Sequence, residues 1–506
     1  MEPKVLDSYG DVRVIEGPDS PIPLYILMPT EFTEEEVNIL KDPKKILPNY
    51  KDIMDKIEDF RTSLEKEDFL RQYLEVQLER DNIVTENLDQ LISRIMDDIF
   101  LGYGRIGPLI RDDDLEEIMI NGIEMPIFVF HRKHGMCATN LQYNTQSSLS
   151  DLIEWIAKYA GRKINRETPL LDAHLPDGSR ANAIIAPAAP YGPCVTIRKF
   201  KKIPYNIIDL ITIKTISVDM AAFLWVCIEG MGMHPSDILI AGGSGSGKTT
   251  LLNALAMFIP RKERVVTVED TLELNLDFLE NWVALEALPS ILDKENTRLD
   301  MGALLENSLR MRPDRVLVGE VRGAEAETLF TAMNIGLNGS MGTLHANNAR
   351  DTTIRLMEEP MNIPARMFRL LDLIIVANRF CIKGKGVVRR VTQVSEIAGM
   401  EKNVIQLGDI YLWDQDTDVI ARTQYPILLT EKIAERVGIT KKQLNSEIFI
   451  REKVLEYLAK NNIRDNKKVC DVFHEYHTDP HSVISKFGLD KELSKDLKVK
   501  KTTAFQ

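Results

Sequence analysis

The chain is short of cysteine, of net positive charge and of long apolar runs, and each shortage closes a class of explanation. Its five cysteines (Cys137, Cys194, Cys227, Cys381 and Cys470) are scattered and form no C-x-x-C pair. Neither a tetracysteine zinc site nor a disulfide framework is suggested, and the thiols read as free in a reducing compartment. The formal net charge is −13, so a global basic field for nucleic acid is absent, although a local basic patch is not excluded. No apolar run reaches the ~20 residues that a membrane helix needs; the stretches around Ile22–Pro29 and Ala221–Ile228 fall short. Met1–Asp7 has no apolar core of the signal-peptide kind, so no secretory signal is expected. Any membrane role is then expected to run through a partner. With 44% apolar and 27% charged residues over 506 positions, the composition is that of a soluble globular protein with several domains.

What the chain does have is an apolar strand, Asp237–Ala241, running into Gly242, Gly243, Ser244, Gly245, Ser246, Gly247, Lys248, Thr249 and Thr250. This fits the phosphate-loop pattern G-x-x-x-x-G-K-[ST]. Residues without Cβ let a loop wrap phosphate with its N–H groups inward, and the following helix adds its positive end. Lys248 is placed to reach the β- and γ-phosphates, and the Thr249 hydroxyl to ligate Mg²⁺. Leu251, Leu252 and Leu255 give that helix an apolar face.

Upstream, Val12–Ile15 and Leu24–Leu27 read as short strands, and Thr33 followed by three glutamates as a helix start. Residues 51–100 read as helical, with a stripe of Leu88, Leu91, Ile92, Ile95, Met96 and Ile99 that suits either packing or a partner surface. Asp114–Asn121 begins as helix in this reading, and Pro126–Phe130 is a strand. His131–Gly135 reads as a solvated basic turn rather than a metal site. Leu149–Arg162 is an amphipathic helix. Leu175–Arg180 is a turn closed by an arginine, and Val195–Phe200 a strand ending in Arg198, Lys199, Lys201 and Lys202. Those cations are either a solvated strand end or contacts to a polyphosphate.

From Asp237 to about Phe380 strand and helix patterns alternate, the parallel α/β signature. Strands are expected at 237–241, 264–269, 315–319, 340–344 and 371–377, and helices at 248–258, 301–311, 324–335 and 348–358. Further strands lie at Val387–Ile397 and Ile410–Trp413, and residues 427–506 read as helical. His474, His477 and His481 would share a helix face, but Asp479-Pro480 breaks that helix, so zinc is not expected there.

Two apolar strands end in acids: Val265–Asp270 carries Glu269, and Arg315–Glu320 carries Glu320. In open parallel sheets the carboxyl ends of strands line the ligand crevice, and acids there can hold Mg²⁺ or orient an attacking water. Gly339–Asn348 is a strand ending in His345, placed to sense a γ-phosphate by hydrogen bonding.

Taken together, the Walker A box at 242–249, an aspartate box at 267–273, a Walker B box at 315–323 and a histidine box at 339–346 resemble the secretion ATPase superfamily. This superfamily drives type II and type IV secretion, type IV pili and the archaellum. Ile106–Asn121, Asp177–Arg180 and Thr196–Arg198 resemble its N-terminal domain. Val268–Leu276, Leu309–Arg315 and Asn338–Ala349 resemble most the archaellum motor ATPase, and the tetracysteine insert usual in bacterial relatives is missing.

The resemblance implies an α/β fold: a C-terminal RecA-like P-loop domain with a parallel sheet, plus an α+β N-terminal domain preceded by a helical region. The expected division is 1–100, 101–215, 216–420 and a C-terminal helical region at 421–506. It further implies a Mg²⁺-dependent ATPase working as a hexamer, with ATP bound between two domains. Glu269 and Glu320 would be catalytic carboxylates, also serving Mg²⁺ with Thr249. Arg180 and Arg198 would be arginine fingers, with Arg310, Arg312 and Arg322 as lesser helpers. The implied partners are a polytopic membrane platform protein and an ATPase-like cytoplasmic regulator, no nucleic acid being expected; the implied place is cytoplasmic, at the inner face of the membrane. The rival readings are a DNA-translocating ATPase of related fold, which would want a basic channel laced with aromatics, and a scaffold that binds nucleotide without turnover.

Overall fold

The computed structural model describes residues 4–17, 20–42, 47, 50–58, 60, 63–83, 85–199, 204–287, 299–382, 386–401 and 404–489. The chain divides into two compact units, Met1–Ile203 and Pro204–Gln506.

The first unit opens with β1 (Val5–Tyr9), β2 (Val12–Ile15) and β3 (Leu24–Leu27). Helices α1 (Glu34–Lys41), α2 (Tyr50–Glu58), α3 (Ser63–Arg80) and α4 (Leu88–Ile95) follow. α1 starts where the sequence places it. Thr33 accepts from the Glu36 amide, and the Glu36 carboxylate accepts from the Thr33 amide at 2.6 Å, so two otherwise orphan donors are satisfied reciprocally. The α4 stripe packs: Leu91, Ile92 and Ile95 are fully buried in one core with Leu70, Leu74 and Leu78 of α3.

A short α5 (Gly107–Arg111) precedes β4 (Leu115–Ile120), β5 (Pro126–His131) and β6 (Gly135–Gln142). Then come α6 (Gln146–Tyr159), β7 (Leu170–His174), β8 (Arg180–Ile184) and β9 (Cys194–Arg198). The sheet order is β1-β2-β3-β6-β5-β4-β9-β8-β7, antiparallel except for β3 against β6. Residues 5–27 thus edge the same sheet as residues 115–198, and no boundary falls at residue 100. Within Asp114–Asn121 the chain is strand, Leu115–Ile120, rather than helix. A register shift between Leu115 and Glu117 sets Leu115 and Ile118 inward with two acids between them, and a bulge of this kind imitates helical spacing.

The second unit begins with α7 (Ile207–Thr212), α8 (Val218–Glu229), β10 (Ile238–Gly242), α9 (Lys248–Ala256), β11 (Val265–Glu269) and β12 (Trp282–Glu286). It continues through α10 (Met301–Ser308), β13 (Arg315–Val321), α11 (Glu325–Asn334), β14 (Met341–Leu344) and α12 (Ala349–Met357). A meander of β15 (Leu373–Ile382), β16 (Gly386–Glu401), β17 (Val404–Asp414) and β18 (Val419–Arg422) follows. Helices α13 (Leu428–Val437), α14 (Lys441–Lys460), α15 (Asn466–Thr478) and α16 (Pro480–Lys486) close the described chain.

The sheet order is β12-β11-β13-β14-β10-β15-β16-β17-β18. The first six strands are parallel and the last three antiparallel. The central strands are buried on both faces, as helix-covered parallel sheets require. Ile238 and Ile240 enter one core, and Leu239 and Ala241 the other. The C-terminal helices belong to the first of these cores. Trp225 of α8 stacks on Phe258 with ring centroids 5.2 Å apart and packs against Phe473 and Tyr476 of α15. Residues 428–489 are therefore continuous with the parallel unit, while the lysine-rich tail lies outside the described residues. Strand β12 has no counterpart in the sequence reading. Among the described residues, no helix is long and apolar enough to cross a membrane.

Candidate functional site

The phosphate loop joins β10 to α9. Gly247 caps α9 at φ +89°, a left-handed conformation that a Cβ would penalise. Lys248 opens the helix and is buried. Its Nζ donates to the Gly243 carbonyl at 3.1 Å and sits 3.4 Å from His345 Nδ1. Ser244 and Gly245 are exposed at the crown, Ser246 is buried, and Thr249 and Thr250 are half-buried in the first turn of α9.

Three strand ends converge beside this loop, as expected from the parallel order. His345, just past β14, places Nε2 2.8 Å from Glu320 Oε1. Because Nδ1 faces the Lys248 ammonium, the ring proton belongs on Nε2; that nitrogen is close to Glu320 Oε1 without the alignment of a hydrogen bond. Arg322 Nη2 donates to Glu320 Oε2 at 2.7 Å, and its Nη1 lies 3.3 Å from Asp270. Lys248, His345, Glu320, Arg322 and Asp270 thus form one chain of alternating partners.

The two expected catalytic carboxylates differ sharply. Burial alone would raise the Glu320 carboxyl, but Arg322, then His345 and Lys248, hold it below its ordinary value. Glu269, at the end of β11, is 1% exposed. Its Oε2 accepts from the Glu273 and Leu274 amides at 2.8 and 3.0 Å, while Oε1 is buried without a hydrogen-bond partner. Burial pushes this carboxyl up to about 8 against those amides. Burial thus favours the protonated form of Glu269, whereas the cations around Glu320 favour its ionised form. A Cβ on Gly319 would fall 2.8 Å from Glu269 Cγ, so β13 keeps a glycine beside that carboxyl. His345 is held below its ordinary value by burial and then Lys248, which keeps the ring neutral.

Arg180 and Arg198 belong to the first unit. They sit directly opposite one another on β8 and β9, and both are exposed. Asp172 holds Arg180 through Nε at 3.1 Å and Nη2 at 2.7 Å. The turn before Arg180 is built on Asp177, which accepts from the Tyr103 hydroxyl at 3.1 Å and from the Ser179 hydroxyl at 2.5 Å. Lys199 departs from the expected exposed cationic end: it is turned inward, bonds the Asp112 carbonyl, and burial pushes its ammonium down to about 8. Lys201 and Lys202 lie outside the described residues. Arg310, in the 3₁₀ turn after α10, pairs with Glu306 of that helix at 3.0 Å. Arg312 sits at φ +52°, beyond the end of α10.

The histidines find different surroundings. His131 is buried rather than solvated. Its Nδ1 accepts from the Lys133 and His134 amides, and its Nε2 lies 3.2 Å from the Tyr9 hydroxyl. His477 Nδ1 lies 2.8 Å from Glu229, and α15 ends before Pro480 as expected. No metal-holding group of His, Cys, Asp and Glu occurs among the described residues.

Two arginines at the loop escaped the sequence reading. Arg389 Nε donates to the Gly245 carbonyl at 2.9 Å across 144 positions of chain, and Arg379 faces Arg389 in the β15–β16 pairing. Nothing local in an alternating strand announces such a contact.

The family model described as type II/IV secretion system protein matches residues 102–405. Two uncharacterized proteins of Methanocaldococcus jannaschii are each 30% identical. One covers 82% of this chain and 81% of its own length, the other 94% and 89%. The conjugal transfer protein TrbB of Rhizobium radiobacter is 30% identical over 61% of this chain and 91% of its own. Among solved structures, the VirB11 ATPase of the Brucella suis type IV secretion system is 26% identical over 57% of this chain and 90% of that one, with a TM-score of 0.30. The family model spans both the arginine-bearing strands of the first unit and the phosphate loop with its carboxylates, and the chain is a member of the type II/IV secretion system protein family.

Proposed function

We propose that the protein is an ATPase coupling ATP hydrolysis to mechanical work on a membrane-bound secretion or pilus-like machine. The chain Lys248–His345–Glu320 beside the phosphate loop carries this reading. It supplies a cation for phosphate, a neutral donor for a phosphoryl oxygen and an ionised carboxylate for water. Water attacks the γ-phosphorus, the bond to the β–γ bridging oxygen breaks, and ADP leaves with the electron pair. The water's proton passes to a carboxylate, Glu320 being the ionised one. The donor set suits Mg²⁺: oxygen ligands only, from the Thr249 hydroxyl and Glu320, with the unpartnered Glu269 Oε1 one strand away. When bound, Mg²⁺ neutralises phosphate charge. Glu269 joins as a base only when nearby positive charge lowers its pKa and its proton is released; Arg180 and Arg198 are the candidate arginine fingers.

The finer reading is a homo-hexamer acting on a polytopic membrane platform protein at the inner face of the membrane to assemble or rotate an archaellum. An ATPase-like cytoplasmic regulator would assist it. Support comes from the stretches Val268–Leu276, Leu309–Arg315 and Asn338–Ala349 and from archaeal relatives matched over most of their length. The 30% identity to a conjugal transfer protein favours a second reading, a secretion or pilus assembly ATPase. Steady-state phosphate release is the test of turnover: Lys248→Ala and Glu320→Gln should both be inactive, and wild-type rates in both would sink the assignment. Affinity capture from membranes, followed by identification of the co-purified integral protein and its filament subunit, separates the two machines.

A further inference from the structure

The β15–β16 hairpin reaches the phosphate loop from the side opposite β14. β15 pairs with β10 through Gly242 against Ala377 and then runs on beyond the end of β10, carrying Arg379. Nη1 of Arg379 lies 3.1 Å from where a Cβ on Gly245 would stand, and Cζ lies 3.7 Å away. The guanidinium therefore rests on the crown of the loop, in space that a side chain at 245 would take. Its cross-strand partner Arg389 grips the same residue from the carbonyl side, and Arg389 Cδ passes 3.4 Å from the Cβ position of Gly247.

Three features make Arg379 more than a surface charge. Arg389 and Arg379 form a like-charged cross-strand pair, an arrangement unfavourable in itself. Both face a loop whose N–H groups and Lys248 already create a positive potential. Among the described residues, no carboxylate pairs with Arg379, whereas Glu320 and Asp270 hold Arg322. A guanidinium pressed onto a cationic cradle without a counter-ion is stabilised once an anion with several acceptor oxygens lies between them.

The geometry points to Arg379 as a phosphate-contacting cation that the chain supplies to its own nucleotide, with Arg389 as the positioning residue that fixes the hairpin to the loop. This deepens the ATPase reading and rests on Gly242–Thr249 binding nucleotide. It adds a cation from the unit that carries the phosphate loop, distinct from Arg180 and Arg198 of the first unit.

The test is titration calorimetry of full-length protein with ADP at low and high salt, comparing wild type with Arg379→Ala, Arg379→Gln, Arg379→Lys and Lys248→Ala. Removing the charge should weaken ADP about 10- to 100-fold in both the Ala and Gln variants at low salt, as loss of a charge-assisted bond does. The Lys variant should retain most of the affinity, and the deficit should shrink as salt rises. Arg379 is exposed, and thermal unfolding of each variant checks that the fold is kept; the Gln and Lys pair carries the test if Ala is unstable. Unchanged ADP affinity in Arg379→Ala, or wild-type affinity in Arg379→Gln, overturns the proposal. If Lys248→Ala also leaves ADP affinity intact, the phosphate-loop reading fails with it; if Lys248→Ala loses affinity and Arg379→Ala does not, only the role of Arg379 fails.

Discussion

The two nine-stranded sheets carry polar groups in opposite ways. In the second unit the central strands are buried on both faces, and their ionisable groups gather at or near the strand ends. Glu269 and His345 sit at such ends, and Glu320 sits one residue before the end of β13. Environment then differentiates them, burial raising one carboxyl and neighbouring cations lowering the other. In the first unit the strands are antiparallel with an open face. Arg180 and Arg198 stand side by side as the end pair of the β8–β9 ladder, exposed and partnered rather than desolvated. Buried strand ends tune chemistry; an open sheet face extends charge outward.

The sharpest challenge to that contrast is turnover. Glu320→Gln keeps the shape of the ionised carboxylate and should remove activity by at least about 10³-fold, the scale of a lost water-orienting group. Phosphate release under saturating ATP measures it, and residual activity near wild type would break the distinction between the two acids. Arg180→Ala and Arg198→Ala should each lower kcat by about 10²-fold or more, with ATP affinity within a few-fold of wild type because neither residue belongs to the phosphate loop. Equal losses in kcat and affinity would mean that exposed and buried groups share one role. Gly319→Ala is subtler. The methyl meets Glu269 Cγ, and a displaced carboxyl should cost about 10-fold or more in kcat, with melting temperature as the control for fold.

Stability gives the smaller effects. Ile240→Ala in the doubly buried strand β10 should cost about 2–5 kcal/mol in the second unit's urea transition. Leu170→Ala, at 63% exposure on the edge strand β7, should stay within about 0.5 kcal/mol. Similar costs would erase the difference between the sheets. Smallest is a pH effect at the opposite end of β10. Burial, then Arg436 and Lys432, push His234 down to about 4, while Asp237 and Asp372 line the same ~170 Å³ cavity. An unfolded histidine titrates near 6.5. The folded state therefore keeps its full stability above pH 6.5 and loses it as pH falls from 6.5 toward 4, because the unfolded chain takes up the proton first. His234→Gln should flatten the melting-temperature profile across that window.

Much of the second unit was legible because its signals are local. Apolar runs of five residues ending in Glu269, Glu320 or near His345 are what a doubly covered parallel strand must look like, and the phosphate loop states its own geometry. Less could be read where chain-distant partners decide. The sheet that takes in residues 5–27 depends on β3 meeting β6, a contact fixed in part by Leu27 and Asn140, 113 positions apart. Strand β4 was masked by its bulge. The protonation difference between Glu269 and Glu320 depends on the Glu273 and Leu274 amides and on Arg322, none of which follows from a strand ending in an acid. Arg379 and Arg389 look like ordinary residues of a polar strand until the hairpin is laid against Gly245.

Lys248, bonded to the Gly243 carbonyl and leaning on His345, bears on how the site empties. The ammonium does not wait in solvent for phosphate; it is already occupied. If nucleotide binds as proposed, a phosphate that takes up Lys248 competes with contacts the ammonium makes to its own loop. Affinity is then the difference between two satisfied arrangements rather than the full strength of either. On the proposed ATPase reading, ADP affinity is then as much a property of Gly243 and His345 as of the nucleotide.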